Sequence, residues 1–149
     1  MILLSRRALL AVAAVTDIAM HARPEPVSSK ALAARHALPP RHLETLLQAM
    51  VRANILKGVR GPRGGYELAR ERRRVTMGEI VRVAISSDVM DADSAGSSKL
   101  LNEVVAPVVA GASHSLLAAL DAVTVADLCA RADQARVFEE TGGAVDFTI

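Results

Sequence analysis

The residues best suited to chemistry lie between Pro39 and Gly64. Arg41, His42, Thr45, Gln48 and Arg52 recur on one side of a helical pattern, with Glu44 beside them near its start, and Leu43, Leu46, Leu47 and Met50 recur on the other. Arg, Gln, Thr and Glu side chains can read the hydrogen-bonding edges of bases, and the cations among them can also hold phosphates. A little further on, Arg60 and Arg63 flank the glycines Gly61 and Gly64. Backbone and guanidinium can therefore both come close to a groove. Ser29, Lys30 and Lys57 complete the candidate DNA-contacting set. Catalysis has no comparable constellation. The glycine loop lacks the Lys of a nucleotide-binding GKS or GKT ending, and no acid–base or nucleophile set accompanies it. Cys129 is the only cysteine, and His21, His36, His42 and His114 are scattered, so neither a disulfide nor a cysteine-rich metal site can be built.

These residues need elements to hold them. Pro39 and Pro40 suit a helix start, where a missing N–H has no partner in any case. Asn54 suits the left-handed turn that ends many helices. Ile55 to Arg60 reads as a strand, Gly61-Pro62-Arg63-Gly64-Gly65 as a sharp turn and Tyr66-Glu67-Leu68 as the returning strand. Upstream, Ser28 or Ser29 is the expected cap of a short helix over Lys30 to His36. The result is a helix-turn-helix followed by a basic hairpin. Its first helix is expected to turn Leu9, Val12, Ala13, Thr16 and Met20 to the core. Ser5-Arg6-Arg7 before the apolar run Ala8 to Val15 imitates a secretory signal, but Asp17 interrupts the run and it is too short to span a bilayer.

Composition agrees with a helical protein: hydrophobic residues make up 51% and aromatic residues 2%, so the core must be aliphatic. The net charge of +2 hides a division. Residues 1–85 carry 15 Lys and Arg against 6 Asp and Glu, and residues 86–149 carry 3 against 10. A basic half joined to an acidic half suits a nucleic-acid binder with a separate assembly or sensing region. Residues 1–85 are expected to form the DNA-binding domain, 86–98 a polar linker, 99–131 a long helix with a short last helix, and 132–149 a tail or an added strand. Thr76 with Glu79 predicts a capping box, and Thr124 with Asp127 a helix start. Leu101, Val105, Val108, Ala112, Leu116 and Leu120 form an apolar stripe with few charges, expected at a homodimer interface. Pro107 is expected to start or kink that helix.

The chain resembles the Rrf-two family of bacterial winged helix-turn-helix regulators. The resemblance rests on Leu43-Glu44, on Val59-Arg60-Gly61-Pro62 with Gly64-Gly65-Tyr66 and Leu68, on Thr76 with Gly78-Glu79-Ile80, and on Val123 to Leu128, within roughly residues 1–131. It implies a mainly α fold with a small β-hairpin, a long C-terminal dimerisation helix, and a cytoplasmic homodimer that binds palindromic double-stranded DNA, as a repressor. Cluster-binding members of the family carry three cysteines between the fourth helix and the long helix. Here Ser86 to Ala106 contains none, and Glu103 and Ala106 stand where some members place the last Cys and a following His. The expectation is a regulator with no cofactor and no membrane association, its effector protein or small molecule unidentified. The rival reading is a winged-helix module that has lost DNA binding and docks a partner protein.

Overall fold

The structure is a computed structural model that describes residues 4–88 and 98–138. In chain order it contains α1 (Arg6–His21), α2 (Ser29–Arg35), α3 (Pro40–Arg52), β1 (Leu56–Val59), β2 (Gly65–Leu68), α4 (Met77–Asp88), a π-helical turn (Leu101–Val105), α5 (Ala106–Asp121) and α6 (Val125–Gln134). The chain is mainly α with one antiparallel hairpin, as its patterning implies. α4 runs on to Asp88, so the first residues of the expected linker are helical. The rest of that linker, and most of the expected tail, lie outside the described residues.

One aliphatic core joins the N-terminal helices to α6. Ile18, Leu32, Leu43, Leu47, Met50, Ile55, Ile80, Val81 and Val125 are all fully buried in it. Each such side chain contributes about 1.5–3 kcal/mol relative to exposure. α1 corrects one expectation. Its buried positions are Ala8, Ala11, Val12, Ala14, Val15, Asp17 and Ile18, whereas Leu9, Ala13, Thr16 and Met20 are half-exposed. The helix is apolar nearly all round, so spacing alone could not choose its inner face. Ser5 caps this helix by accepting a hydrogen bond from the Ala8 N–H at 3.2 Å.

Two helix ends in this domain close in the same way. At the end of α3 the Ile55 N–H bonds to the Met50 carbonyl and the Asn54 N–H to the Val51 carbonyl, with Asn54 at φ 58°. This is a Schellman closure, and it drops the chain into β1. At the end of α2 the Leu38 N–H bonds to the Ala33 carbonyl, and Ala37 takes the left-handed position at φ 50°. Alanine pays a steric cost there that Asn54 largely avoids.

The expected capping box and the expected helix start exchange characters. Thr124 and Asp127 form a complete one, with each side chain bonded to the other residue's N–H. Thr76 accepts from the Glu79 N–H at 3.1 Å, but the Glu79 carboxylate turns away to Arg70. Between the boxes, the Met77 N–H bonds to the Val123 carbonyl and the Val125 N–H to the Val75 carbonyl. This short pairing draws α6 back onto the N-terminal core, where Val125 and Cys129 are buried.

Candidate nucleic-acid interface

α3 sorts its residues as the sequence pattern requires. Leu43, Leu46, Leu47 and Met50 are buried, and Arg41, His42, Glu44, Thr45, Gln48 and Arg52 are exposed. Packing of the leucines against α2 and α4 therefore sets the angle at which the polar face meets solvent. Among the described residues the Arg41, His42, Glu44 and Gln48 side chains make no hydrogen bond or ion pair, and Thr45 makes only a long bond to the Arg41 carbonyl, at 3.4 Å. Ser28, not Ser29, caps α2, accepting from the Ala31 N–H at 3.1 Å. Ser29 and the exposed Lys30 consequently sit in the first turn of that helix, where free N–H groups favour an anion.

The hairpin pairs Leu56 with Leu68, Lys57 with Glu67, Gly58 with Tyr66 and Val59 with Gly65. Gly61 sits at φ +120°, open only to glycine at low cost. Gly64 and Gly65 are required for a different reason: close approach. A Cβ on Gly64 would lie 2.3 Å from the Val59 carbonyl oxygen, and one on Gly65 would lie 2.3 Å from that of Val27. The Val27 contact is an extra rung: Val27 exchanges two backbone hydrogen bonds with Tyr66, at 2.9 and 2.8 Å. One paired residue has no periodicity, so nothing in the sequence signalled it. The rung ties β2 of the wing to the loop between α1 and α2.

The basic residues of the wing are not equivalent. Arg60 is exposed with no ion-pair partner among the described residues. Arg63 donates to Glu25 across the α1–α2 loop at 3.0 Å, and Lys57 pairs with Glu67 on the neighbouring strand at 3.2 Å. Both pairs are exposed, and such pairs contribute little to stability.

Behind the interface lies a polar node that the sequence reading missed. Asp17 has no exposed surface, yet it accepts hydrogen bonds from four donor groups. Arg35 donates Nε to Oδ2 at 2.9 Å and an η-nitrogen to Oδ1 at 2.6 Å. His36 Nε2 and His21 Nδ1 lie 2.9 Å from Oδ2 and Oδ1 respectively. Burial pushes the Asp17 carboxyl up, but the bonds from Arg35, His36 and His21 outweigh it and hold the group below the ordinary carboxylate range. The node fastens α2 to α1. The available signal was Asp17 itself: a charge on the inner face of an apolar helix, four residues before His21, needs partners.

The π-helical turn and α5 behave unlike the rest of the described chain. Leu101, Val105 and Val108 are 37%, 43% and 71% exposed, and Ala112 is exposed with them. Leu116 is half-buried, and Leu120 packs with Leu117 on the chain's own core, so the expected stripe is divided between two duties. Pro107 lies in the first turn of α5, directly after the π-helical turn. A proline there cannot donate to Glu103, and the wider π turn accommodates the lost bond. At the other end Arg82 of α4 grips Asp121 with two hydrogen bonds, 2.5 and 2.8 Å. A Cβ on Gly78 would collide with the Asp121 carboxylate, which explains glycine at that position.

The residues do not suit an iron–sulfur cluster. Cluster iron needs several converging thiolates or imidazoles. Cys129 is 3% exposed inside the core, where burial pushes its thiol up against the opposing influence of Arg72. No three His, Cys, Asp or Glu side chains among the described residues converge as a metal site.

Comparison with known proteins agrees with this geometry. The model of the Rrf2 family, described as iron-dependent transcriptional regulators, matches residues 4–131. A protein of Synechocystis sp. described as an HTH-type transcriptional regulator is 34% identical over 119 residues, covering 78% of this chain and 80% of its own. A similarly described protein of Azotobacter vinelandii is 31% identical, covering 83% and 76%. Among solved structures, IscR of T. potens superposes with a TM-score of 0.68 at 35% identity, covering 89% of each chain. CymR, the global cysteine regulator of B. subtilis, shares the fold at 23% identity with a TM-score of 0.65. The chain belongs to the Rrf2 family of winged-helix DNA-binding transcription regulators and is not an enzyme.

Proposed function

We propose that this regulator works in the cytoplasm as a homodimeric repressor that reads a palindromic operator and carries no iron–sulfur cluster. The observation that carries the reading is the exposed face of α3, whose Arg41, His42, Glu44 and Gln48 are fixed by buried leucines yet engaged with nothing in the described chain. Polar side chains presented rigidly and left unsatisfied suit base edges in a major groove. Arg60, at the wing tip, suits the narrow minor groove, where negative potential attracts Arg. Arg72, Arg73 and Arg74, exposed in the loop before α4, suit phosphates. Ser29, Lys30, Thr45, Gly61, Arg63 and Gly64 complete the contact set.

The dimer reading is supported by the apolar side of α5. The helical run Leu101–Asp121 is long and apolar enough to cross a bilayer, with a mean hydropathy of 1.5, and none of its residues is fully buried among the described residues. The Arg82–Asp121 clasp and the packing of Leu117 and Leu120 fasten its far end to the DNA-binding core. That attachment favours a protein surface as the occupant, and a second copy would place two recognition helices on one duplex. Ligand chemistry supports the absence of a cluster: the single cysteine is committed to the core.

Two variants test the reading. Arg41→Ala should cost about 1–3 kcal/mol on the preferred sequence and relax selectivity at one position in each half-site. Neutralising Arg72 to Arg74 should instead weaken all sequences alike and flatten the salt dependence. The measurement is a binding titration at several salt concentrations on selected and scrambled duplexes. Equal weakening of both duplexes by Arg41→Ala, with a reduced salt slope, would make Arg41 a phosphate contact and remove base reading from this face. Protein purified without oxygen should be colourless; stoichiometric iron and sulfide would sink the cluster-free reading.

A further inference from the structure

Arg70, the second residue after β2, reaches two elements at once. Its Nε donates to the Asn54 carbonyl at 3.0 Å, and an η-nitrogen donates to the Glu79 carboxylate. Asn54 is the left-handed residue, at φ 58°, that closes α3. Only Ala53, Asn54 and Ile55 lie between α3 and β1, so the angle between helix and wing is set there. The neighbouring Ala69 N–H bonds to the Ile55 carbonyl at 3.0 Å. Arg70 therefore fastens the helix–wing corner to the first turn of α4, where Glu79 lies.

Two observations set this clamp apart from an ordinary surface ion pair. First, the chain forgoes a local bond to make it. Thr124 and Asp127 complete a reciprocal capping box, whereas Glu79, at the same spacing from Thr76, is drawn to Arg70 instead. The Arg70 and Glu79 side chains are 31% and 35% exposed, and a pair of that kind stabilises a fold no more than the cap it displaces. Second, the guanidinium stands at the C-terminal end of α3, where the helix dipole favours a cation, and it holds a carbonyl of the joint itself. A binding surface works only if its parts are held to about 0.5 Å relative to one another. In the proposed function α3 and Arg60 address one duplex, and this corner is the joint between them.

We propose that Arg70 is a positioning residue for DNA recognition: by bridging the Asn54 carbonyl and Glu79 it fixes the wing relative to α3, so that Arg41 and Arg60 engage one duplex together. The role asks for no contact between Arg70 and DNA. Its effect on binding rests on the DNA-contact reading; its effect on the joint does not.

The test uses the full chain with Arg70→Met, which keeps an aliphatic stem and removes both donations. Glu79, once released, can return to the Thr76 N–H, so the fold is retained. The probe is the duplex that the natural chain enriches from a random pool, and Arg60→Ala and Arg41→Ala are each measured in both backgrounds. In the natural chain Arg60→Ala should weaken binding about 10-fold. With Arg70→Met present that loss should shrink to about 2-fold or less, because the wing no longer meets its groove in register, while the loss from Arg41→Ala stays as it was. A merely structural role would weaken binding uniformly and leave both losses unchanged, which would overturn the proposal.

The joint itself is read without DNA. Nitroxide labels at Gln48→Cys and Pro62→Cys, on a chain diluted into unlabelled protein, report the helix-to-wing distance within one chain; Cys129, 3% exposed, escapes labelling. The natural joint should give one narrow distance distribution, and Arg70→Met a broadened or shifted one. An unchanged distribution would overturn the proposal whatever the affinities do. Glu79→Gln, which weakens the hold on the same guanidinium, should move both readouts in the same direction, and it replaces Arg70→Met if that chain does not fold. If no duplex were enriched, or if Arg60→Ala cost nothing in the natural chain, the DNA-contact reading would fail, and the distance distribution alone would decide whether Arg70 sets the joint.

Discussion

The helix–wing domain and α5 are both rich in aliphatic residues and dispose of them in opposite ways. In the domain, Leu43, Leu47, Ile55, Ile80 and Val81 vanish from the surface. Along the π-helical turn and α5, Val104, Val108 and Val109 stay more than half exposed. The domain balances the buried charge of Asp17 internally, through its hydrogen-bonded node, whereas α5 presents an apolar face that the other described residues do not cover. The contrast separates a region whose aliphatic residues are covered by the chain itself from a face that, in the proposed dimer, a second copy covers. Each part of that statement can be broken separately.

The largest effect is expected inside the domain. Arg35→Ala would leave Asp17 buried with only the two histidines as donors and should cost about 3 kcal/mol in urea unfolding. A loss under about 0.5 kcal/mol, the size of an ordinary surface change, would mean that the node is peripheral. The node also sets an acid limb. The folded-state pKa of Asp17 is depressed, so its contribution is present above the unfolded value, near 3.9, and is lost as pH falls through the folded value. Asp17→Asn should flatten this dependence below about pH 4, measured as stability against pH.

The next effect concerns α5. Val108→Glu changes a side chain that is 71% exposed in the single chain, so its helical spectrum should be unchanged. In a dimer through α5 it would bury a carboxylate without a partner, weakening association by at least about 2 kcal/mol, roughly 30-fold. Sedimentation at graded concentration reads this directly. An unaltered association constant would move the interface off this face. The smallest effect is a gain: Ala37→Gly relieves the left-handed alanine that closes α2 and should stabilise the domain by about 0.5–1 kcal/mol in the same urea assay.

The contrast also explains what was legible in the sequence. α3 and the wing were legible because their signals are local: leucines at helical spacing, Asn54 at a left-handed position, glycines at a tight turn. Thr124 and Asp127 were legible for the same reason. Glu79 was not, because its box competes with Arg70, nine residues away in sequence and close only in the fold. The inner face of α1 was hidden by its near-uniform apolarity. The Asp17 node was hidden because Arg35 and His36 come from another helix, and the Val27 rung because a single pairing leaves no pattern. Family resemblance supplied the architecture that joins these parts, and Leu120 shows where an apolar stripe divides between the chain's own core and an outer face.

The most direct measurement is a selection for bound duplexes from a random pool, run on the natural chain and on Val108→Glu in parallel. The account predicts that the natural chain enriches an inverted repeat, with half-site centres about one helical turn apart. It also predicts that Val108→Glu enriches, at most, a single half-site with much weaker recovery. An inverted repeat retained in full by Val108→Glu would place the dimer elsewhere, and no enriched sequence from the natural chain would contradict sequence-specific reading by α3 and the wing.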